Sequence, residues 1–211
     1  MTPILAQWDV YDERGGSYVV LPDGCCDLIY KRVADGRPAW QITDLQTHAE
    51  QNIAAPQTQY VGVRFQPGIT IDRAALLFHA NRFDGFDQQL LESIPEFVAY
   101  DRDTADLLAQ LATTPDITQT ARDAGVSLRT FQRHLLRRTG QGPKFWVMLA
   151  RVRRAARYLG TPQPLSEITY AAGFADQAHM TREFRRWFGV TPTKMRADQN
   201  LLDRIGASGF A

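Results

Sequence analysis

The chain has 211 residues, enough for one large domain or two modest ones, and its 44% hydrophobic and 22% charged content is that of an ordinary globular protein. No apolar run approaches the roughly 18 residues that a membrane span needs, and residues 1–8 lack a basic stretch leading into an apolar one, so neither a membrane segment nor a secretory leader is expected. The net charge of +1 hides a split: residues 1–110 carry 8 Lys+Arg against 16 Asp+Glu, net −8, whereas residues 111–211 carry 16 against 7, net +9.

That asymmetry predicts two parts with different partners, a domain at 1–110 and another at 111–211, the basic one suited to a polyanion. It also raises the expectation that the acidic part docks on the basic part and masks it. The two cysteines, Cys25 and Cys26, are adjacent and offer no disulfide framework, which fits a cytoplasmic protein.

In chain order, the first part predicts short strands at 17–21, 27–31, 40–43 and 59–65, each rich in β-branched, aromatic or leucine residues. Breakers separate them: Pro22-Asp23-Gly24, Asp35-Gly36-Arg37-Pro38 and Pro67-Gly68. Gly62 weakens the last strand or marks a bulge. From Ile71 the period turns helical, with Ala74, Leu77 and Phe78 on one face, and helices follow at 86–93 and 96–111. Trp8 and Trp40 are expected in the core, Arg64 in a structural ion pair, and the cysteines in packing rather than sensing. Two Cys with scattered His48, His79, His134 and His179 have no zinc spacing, so no metal or cofactor is expected.

The second part repeats itself. Ala124-Gly125 recurs as Ala172-Gly173 at an offset of 48, while Arg133, Leu135, Gly140 and Pro143 recur as Arg182, Phe184, Gly189 and Pro192 at an offset of 49. The change of offset places one extra residue in the second turn. In the first unit a short helix from Ile117 ends near Ala124-Gly125. Ser127 caps a second helix that runs to Thr139 with Phe131 and Leu135 inward. In the second unit Leu165 to Ala172 is the first helix. Asp176 caps the next, which runs to Phe188 with Met180, Phe184 and Phe188 inward. A helix over 143–159 joins the units, and Thr191-Pro192 opens a closing helix. Residues 206–211 are expected to fray.

A helix, a glycine turn and a second helix form the motif that places its second helix in the major groove of DNA. The outward residues of that helix are Leu128, Arg129, Gln132, Arg133 and Arg137 in the first unit. In the second they are Gln177, His179, Thr181, Arg182, Arg185 and Arg186. These include donors that suit guanine and adenine edges. Sixteen or so joining residues at ~1.5 Å each give a rod of roughly 24 Å, against ~34 Å between successive major grooves. Arg151, Arg153, Arg154 and Arg157 on that rod are read as phosphate contacts or a solvated face.

The stretch ITYAAGFADQAHMTREFRRWFGVTP, residues 168–192, resembles the signature of the AraC/XylS family of bacterial transcription regulators, and the resemblance extends over residues 115–197. It implies an α+β protein whose all-α C-terminal part holds two helix-turn-helix units on double-stranded DNA. By motif position it implies base contacts from Arg129, Gln132, Arg133, Gln177, His179 and Arg182. Phosphate contacts fall to Ser127, Arg137, Thr181, Arg185, Arg186 and Lys194. Thr169 stands where the family usually has Ala, and its hydroxyl can return to the helix backbone. Two N-terminal stretches, LPDGCCDLI at 21–29 and VGVRFQPG at 61–68, are similar to motifs in the compact N-terminal domain of some such regulators. They imply a sensor or oligomerisation role with an unknown small-molecule effector. RNA polymerase and a second copy of the chain are further partners the resemblance admits. Two other functions remain open: an architectural DNA-binding protein without effector, and a DNA-repair alkyl acceptor using a cysteine, for which two Cys are too few to build a zinc-activated site.

Overall fold

The computed structural model describes residues 2–34 and 36–211; Met1, and Asp35 at the start of the breaker expected at 35–38, lie outside the described residues. The N-terminal part is built on strands β1 (Ile4–Asp12), β2 (Gly16–Val20), β3 (Asp27–Val33), β4 (Ala39–Ile42), β5 (Glu50–Ala54) and β6 (Thr58–Phe65). The main sheet is antiparallel throughout, in the order β1-β6-β3-β4, and β2 pairs separately with β5. β6 is central, with Trp8 and Ile29 flanking Gly62 in register. The glycine is neither a bulge nor a weak point. A Cβ there would lie 2.2 Å from Trp8 Cε2, so the missing side chain is what lets the indole lie across the strand. That indole donates to Asp27 Oδ1 at 3.4 Å.

Two helices cover one face of this sheet, α1 (Arg73–Ala80) and α2 (Gln88–Ser93). Leu28, Ile42, Val63 and Phe65 from the sheet meet Leu76, Ala80, Leu90 and Ile94 in a closed apolar core. Of the apolar face expected on α1, Leu77 packs against this core, but Phe78 is 79% exposed and Leu76 is buried instead. The helix starts later than Ile71, because Thr70–Ile71 form β7 and the Asp72 carboxylate caps the helix at the Ala75 amide, 3.1 Å away. The continuous helix expected at 96–111 is also broken. Residues Ile94–Glu96 form a single 3-10 turn, and Val98–Ala99 form β8, paired with β7. Helix α3 (Arg102–Thr113) then begins afresh behind its own cap, Asp101. A β-branched residue with a strand partner, followed by a capping carboxylate, outweighs the helical period there.

The C-terminal part is helical: α4 (Ile117–Asp123), α5 (Leu128–Thr139), α6 (Pro143–Tyr158), α7 (Leu165–Ala171), α8 (Gln177–Phe188), α9 (Pro192–Arg196) and α10 (Gln199–Gly206). Its apolar stripes converge on a second core around the wholly buried Trp146, Leu149, Val152 and Phe184. Leu21 and Phe210 belong to this core too, so the N-terminal part is seated on it. Residues 207–211 do not fray. Phe210 packs edge-on against Trp146 at 4.9 Å between centroids, and its amide donates to the Asp23 carbonyl at 2.7 Å. An aromatic side chain with a vacant apolar seat opposite it holds a terminus that composition alone marks as free.

Candidate nucleic-acid interface

The first unit is α4, a turn, and α5. Asp116 caps α4 through the amides of Thr118 and Gln119, and Ser127 caps α5 through Thr130 N at 3.2 Å. The second unit is α7, a turn, and α8, capped by Asp176 to His179 N at 2.6 Å. Both long helices stop in the same way, at Gly140 and Gly189, each with φ 71 and ψ −2. A side chain strains that left-handed backbone, so glycine ends the helix and its amide returns to the last turn, at Leu136 O and Arg185 O. The turns differ by one residue, 124–127 against 172–176, as the shift in repeat offset requires.

Helix α5 buries Phe131 and Leu135 and turns Arg129, Gln132, Arg133 and Arg137 to solvent. Helix α8 buries Met180, Phe184, Trp187 and Phe188 and exposes Gln177, Arg182, Arg185 and Arg186. Thr181 and His179 are half-buried, and the His179 ring stands edge-on to Phe174 at 5.3 Å between centroids. Ser127 and Lys194 are exposed at the start of α5 and within α9. Among the described residues Arg129, Arg133, Arg137, Arg182 and Arg185 have no carboxylate partner, whereas Arg186 lies 3.9 Å from Glu183. Cations left unpaired on two matched helices are free to meet phosphates and base edges. The exposed side chains among these remain uncovered with the N-terminal part in place.

The joining helix α6 behaves differently from its reading. Arg153 is only 1% exposed and spends its guanidinium on three carbonyls: Phe210 at 3.0 Å, Ala207 at 3.2 Å and Pro22 at 3.4 Å. Burial pushes its pKa down to about 10, so it remains charged at neutral pH. Arg154 donates to the Ala112 carbonyl, Arg157 to the Ala211 carbonyl, and Arg151 lies over the Phe174 ring at 5.8 Å. Helical periodicity places these arginines on α6 but is silent about carbonyls brought to them from distant sequence. Trp146 Nε1 donates to Thr139 Oγ1 at 3.0 Å and fixes α6 to the end of α5. Thr169 returns its hydroxyl to Leu165 O at 2.6 Å, as expected.

In the N-terminal part Arg64 makes a bidentate pair with Asp27, at 2.9 and 3.0 Å, and a second pair with Asp23 at 2.9 Å. Cys25 is buried and Cys26 half-buried. Burial is the main cause that raises both thiols, Cys26 to about 11, so neither supplies a thiolate nucleophile near neutral pH. Among the described residues no group of three or more His, Cys, Asp or Glu is placed to hold a metal ion, and no helix is long and apolar enough to cross a membrane.

Comparison with known proteins bears on the same region. Residues 120–198 match a helix-turn-helix domain family. The ornithine utilization regulator of Pseudomonas aeruginosa is 39% identical over 93 residues, 43% of this chain and 26% of that protein. The transcriptional regulator VirS of Mycobacterium tuberculosis is 42% identical over 72 residues, 33% of this chain and 20% of that one. The matched stretch is thus between a fifth and about a quarter of the length of these relatives. Among solved structures, ToxT of Vibrio cholerae bound to (E)-4-(8-methylnaphthalen-1-yl)but-3-enoic acid superposes with a TM-score of 0.50 at 12% identity. It covers 93% of this chain and 98% of that one, a likeness of fold.

Proposed function

Because the C-terminal half of this chain belongs to the AraC/XylS family of helix-turn-helix regulators, we propose that the whole chain is a sequence-specific transcription regulator. The observation that carries this reading is the pair of matched helices, each with inward aromatics, a capped start, a glycine stop and unpaired outward arginines. In this reading Arg129, Gln132, Arg133, Gln177, His179 and Arg182 read base edges. Ser127, Arg137, Thr181, Arg185, Arg186 and Lys194 hold phosphates. The N-terminal part, residues 1–110, is the regulatory domain and takes an effector or a partner there. The chain acts in the cytoplasm without catalysing a reaction, and RNA polymerase and a second copy of the chain are its candidate protein partners.

Selection of duplexes from a random-sequence pool tests the reading. The chain should enrich one motif with two half-sites, and affinity for it should fall steeply as salt rises, because each phosphate contact releases counterions. Equal affinity for every duplex at physiological salt defeats sequence-specific recognition.

A further inference from the structure

The N-terminal part touches the second helix-turn-helix unit at a point that matters for its orientation. The Ala49 amide donates to the Trp187 carbonyl at 2.7 Å. Trp187 lies in the last turn of α8, where carbonyls have no partner within the helix. A loop from more than a hundred residues away therefore caps the end of the second recognition helix. Leu45 and Ala49 pack on the same core, in which the Trp187 ring meets Phe145 at 5.2 Å between centroids.

A second attachment grips the joining helix. The Pro22-Asp23-Gly24 turn lies over α6, and residues 207–211 thread between them. Arg153 donates to carbonyls of the thread, at Ala207 and Phe210, and of the turn, at Pro22, and Arg64 adds a bond to Ser208 O at 2.7 Å. Gly24 has φ +79, and a Cβ on it would lie 2.7 Å from Phe210 Cβ, so this turn is shaped for the aromatic ring. The sequence motif at 21–29 is thereby accounted for as a docking surface.

The first unit is held differently, through side chains at the start of α3 and not by a backbone cap. The position matching Trp187 at the repeat offset of 49 is Arg138, and its carbonyl receives no bond from the N-terminal part among the described residues. The Arg138 guanidinium instead pairs with Asp101, the cap of α3, at 3.2 Å, and Thr104 Oγ1 meets His134 Nε2 at 2.9 Å.

On these grounds, and resting on the DNA-binding reading above, we infer that the N-terminal part is a buttress for the second unit: it sets the angle of α8 against α6, and hence the fit of the second half-site. Ala49, Phe210 and Arg153 are positioning residues and do not touch DNA. A change in the strand-built part ahead of Asp101 then acts on the second half-site more than on the first.

The test uses the full chain and a duplex of about three helical turns, ~30 bp, that the wild-type chain selects from a random pool. Arg133→Ala and Arg182→Ala first assign the two half-sites by the base positions at which each relaxes specificity. Ala49→Pro removes the amide donor, and Leu45→Ala removes a side chain that packs beside it on the core holding Trp187. Ala49→Pro should weaken binding by about fivefold or more, the lower end of usual coupling between sites, and Leu45→Ala should act in the same direction. Base changes in the second half-site should then cost the variants much less than they cost the wild-type chain. Changes in the first half-site should cost both the same, which a general loss of stability does not produce. Wild-type affinity in both variants overturns the inference, and so does a loss spread equally over both half-sites. If Ala49→Pro gives no cooperative unfolding transition, Leu45→Ala decides alone. If the wild-type chain selects no duplex, the DNA-binding reading itself has failed.

Discussion

In the first unit a 7-residue helix and a 12-residue helix meet across the turn 124–127; in the second, helices of the same two lengths meet across 172–176. Both long helices leave through a left-handed glycine, and both bury aromatic or leucine residues one turn apart. Their surroundings differ. The first unit leans on α3, where Asp101 pairs with Arg138 at 3.2 Å and Thr104 Oγ1 meets His134 Nε2 at 2.9 Å. The second leans on the N-terminal part through Ala49 and Trp187. Caps and glycines act within a few residues, so repeated sequence repeats the helices. Placement of each unit depends on whichever distant segment supplies the missing hydrogen bonds.

The largest effects should come from the core. Phe131 and Phe184 are 1% and 0% exposed, and truncating either to Ala should cost about 3–5 kcal/mol in urea denaturation. The two costs should not be equal. Phe131 borders an open groove between α3 and the first unit, lined also by Leu107, Val126 and His134. Side chains there can relax into the space left behind, which puts Phe131→Ala at the low end of the range. Phe184 is packed edge-on against Phe188 at 5.2 Å, inside the closed core. A Phe131→Ala cost above that of Phe184→Ala removes the claim that the second unit is the better packed.

The next effect compares the two faces. Arg133→Ala and Arg182→Ala should each weaken binding to a selected duplex by about 1–3 kcal/mol and relax specificity at one position. Each change should be felt in a different half-site, since the two arginines occupy equivalent positions on separate helices. Relaxed specificity in the same half-site for both variants means that the units do not read adjacent grooves.

The same contrast explains what was legible in the sequence. Ser127, Asp176, Gly140 and Gly189 act on backbone groups two to four residues away, and the helices they bound follow the reading within a residue or two. The exposed arginines of α5 and α8 follow as well, because a period of 3.6 places them opposite Phe131 and Phe184. Strands β1 and β5 went unread: Ile4–Asp12 mixes apolar and polar residues without a clean alternation, and Glu50–Ala54 is short and polar at its start. Their partners β6 and β2 supply the ladder that local composition does not announce. The burial of Arg153 and the seating of Phe210 depend on the Pro22-Asp23-Gly24 turn arriving from 131 residues away, and no window of the sequence contains both. The two long helices and their exposed arginines were therefore legible, and the distant contacts that position them were not.

The smallest effect is one of pH, and it should divide the units. Burial raises the pKa of Asp101, but the Thr104 hydroxyl, Arg138 and two backbone amides together outweigh burial and hold it below the usual carboxylate range. Thr104 has a single hydroxyl proton and donates it to Asp101 Oδ2 at 2.9 Å, so His134 Nε2 carries the hydrogen shared with Thr104. A depressed carboxylate contributes stability that is whole above its unfolded value, about 3.9, and is lost as pH falls through the folded value. The stability difference between the wild-type chain and Asp101→Asn should therefore be constant from about pH 5 upward and shrink below about pH 4. Arg138 is 48% exposed, so solvent screens its share and the whole effect is modest. Amide exchange should quicken in α5 before α8 as acid is added, because only the first unit is held through this carboxylate. Equal quickening in both helices dissociates Asp101 from the first unit's placement and leaves it a cap of α3 alone.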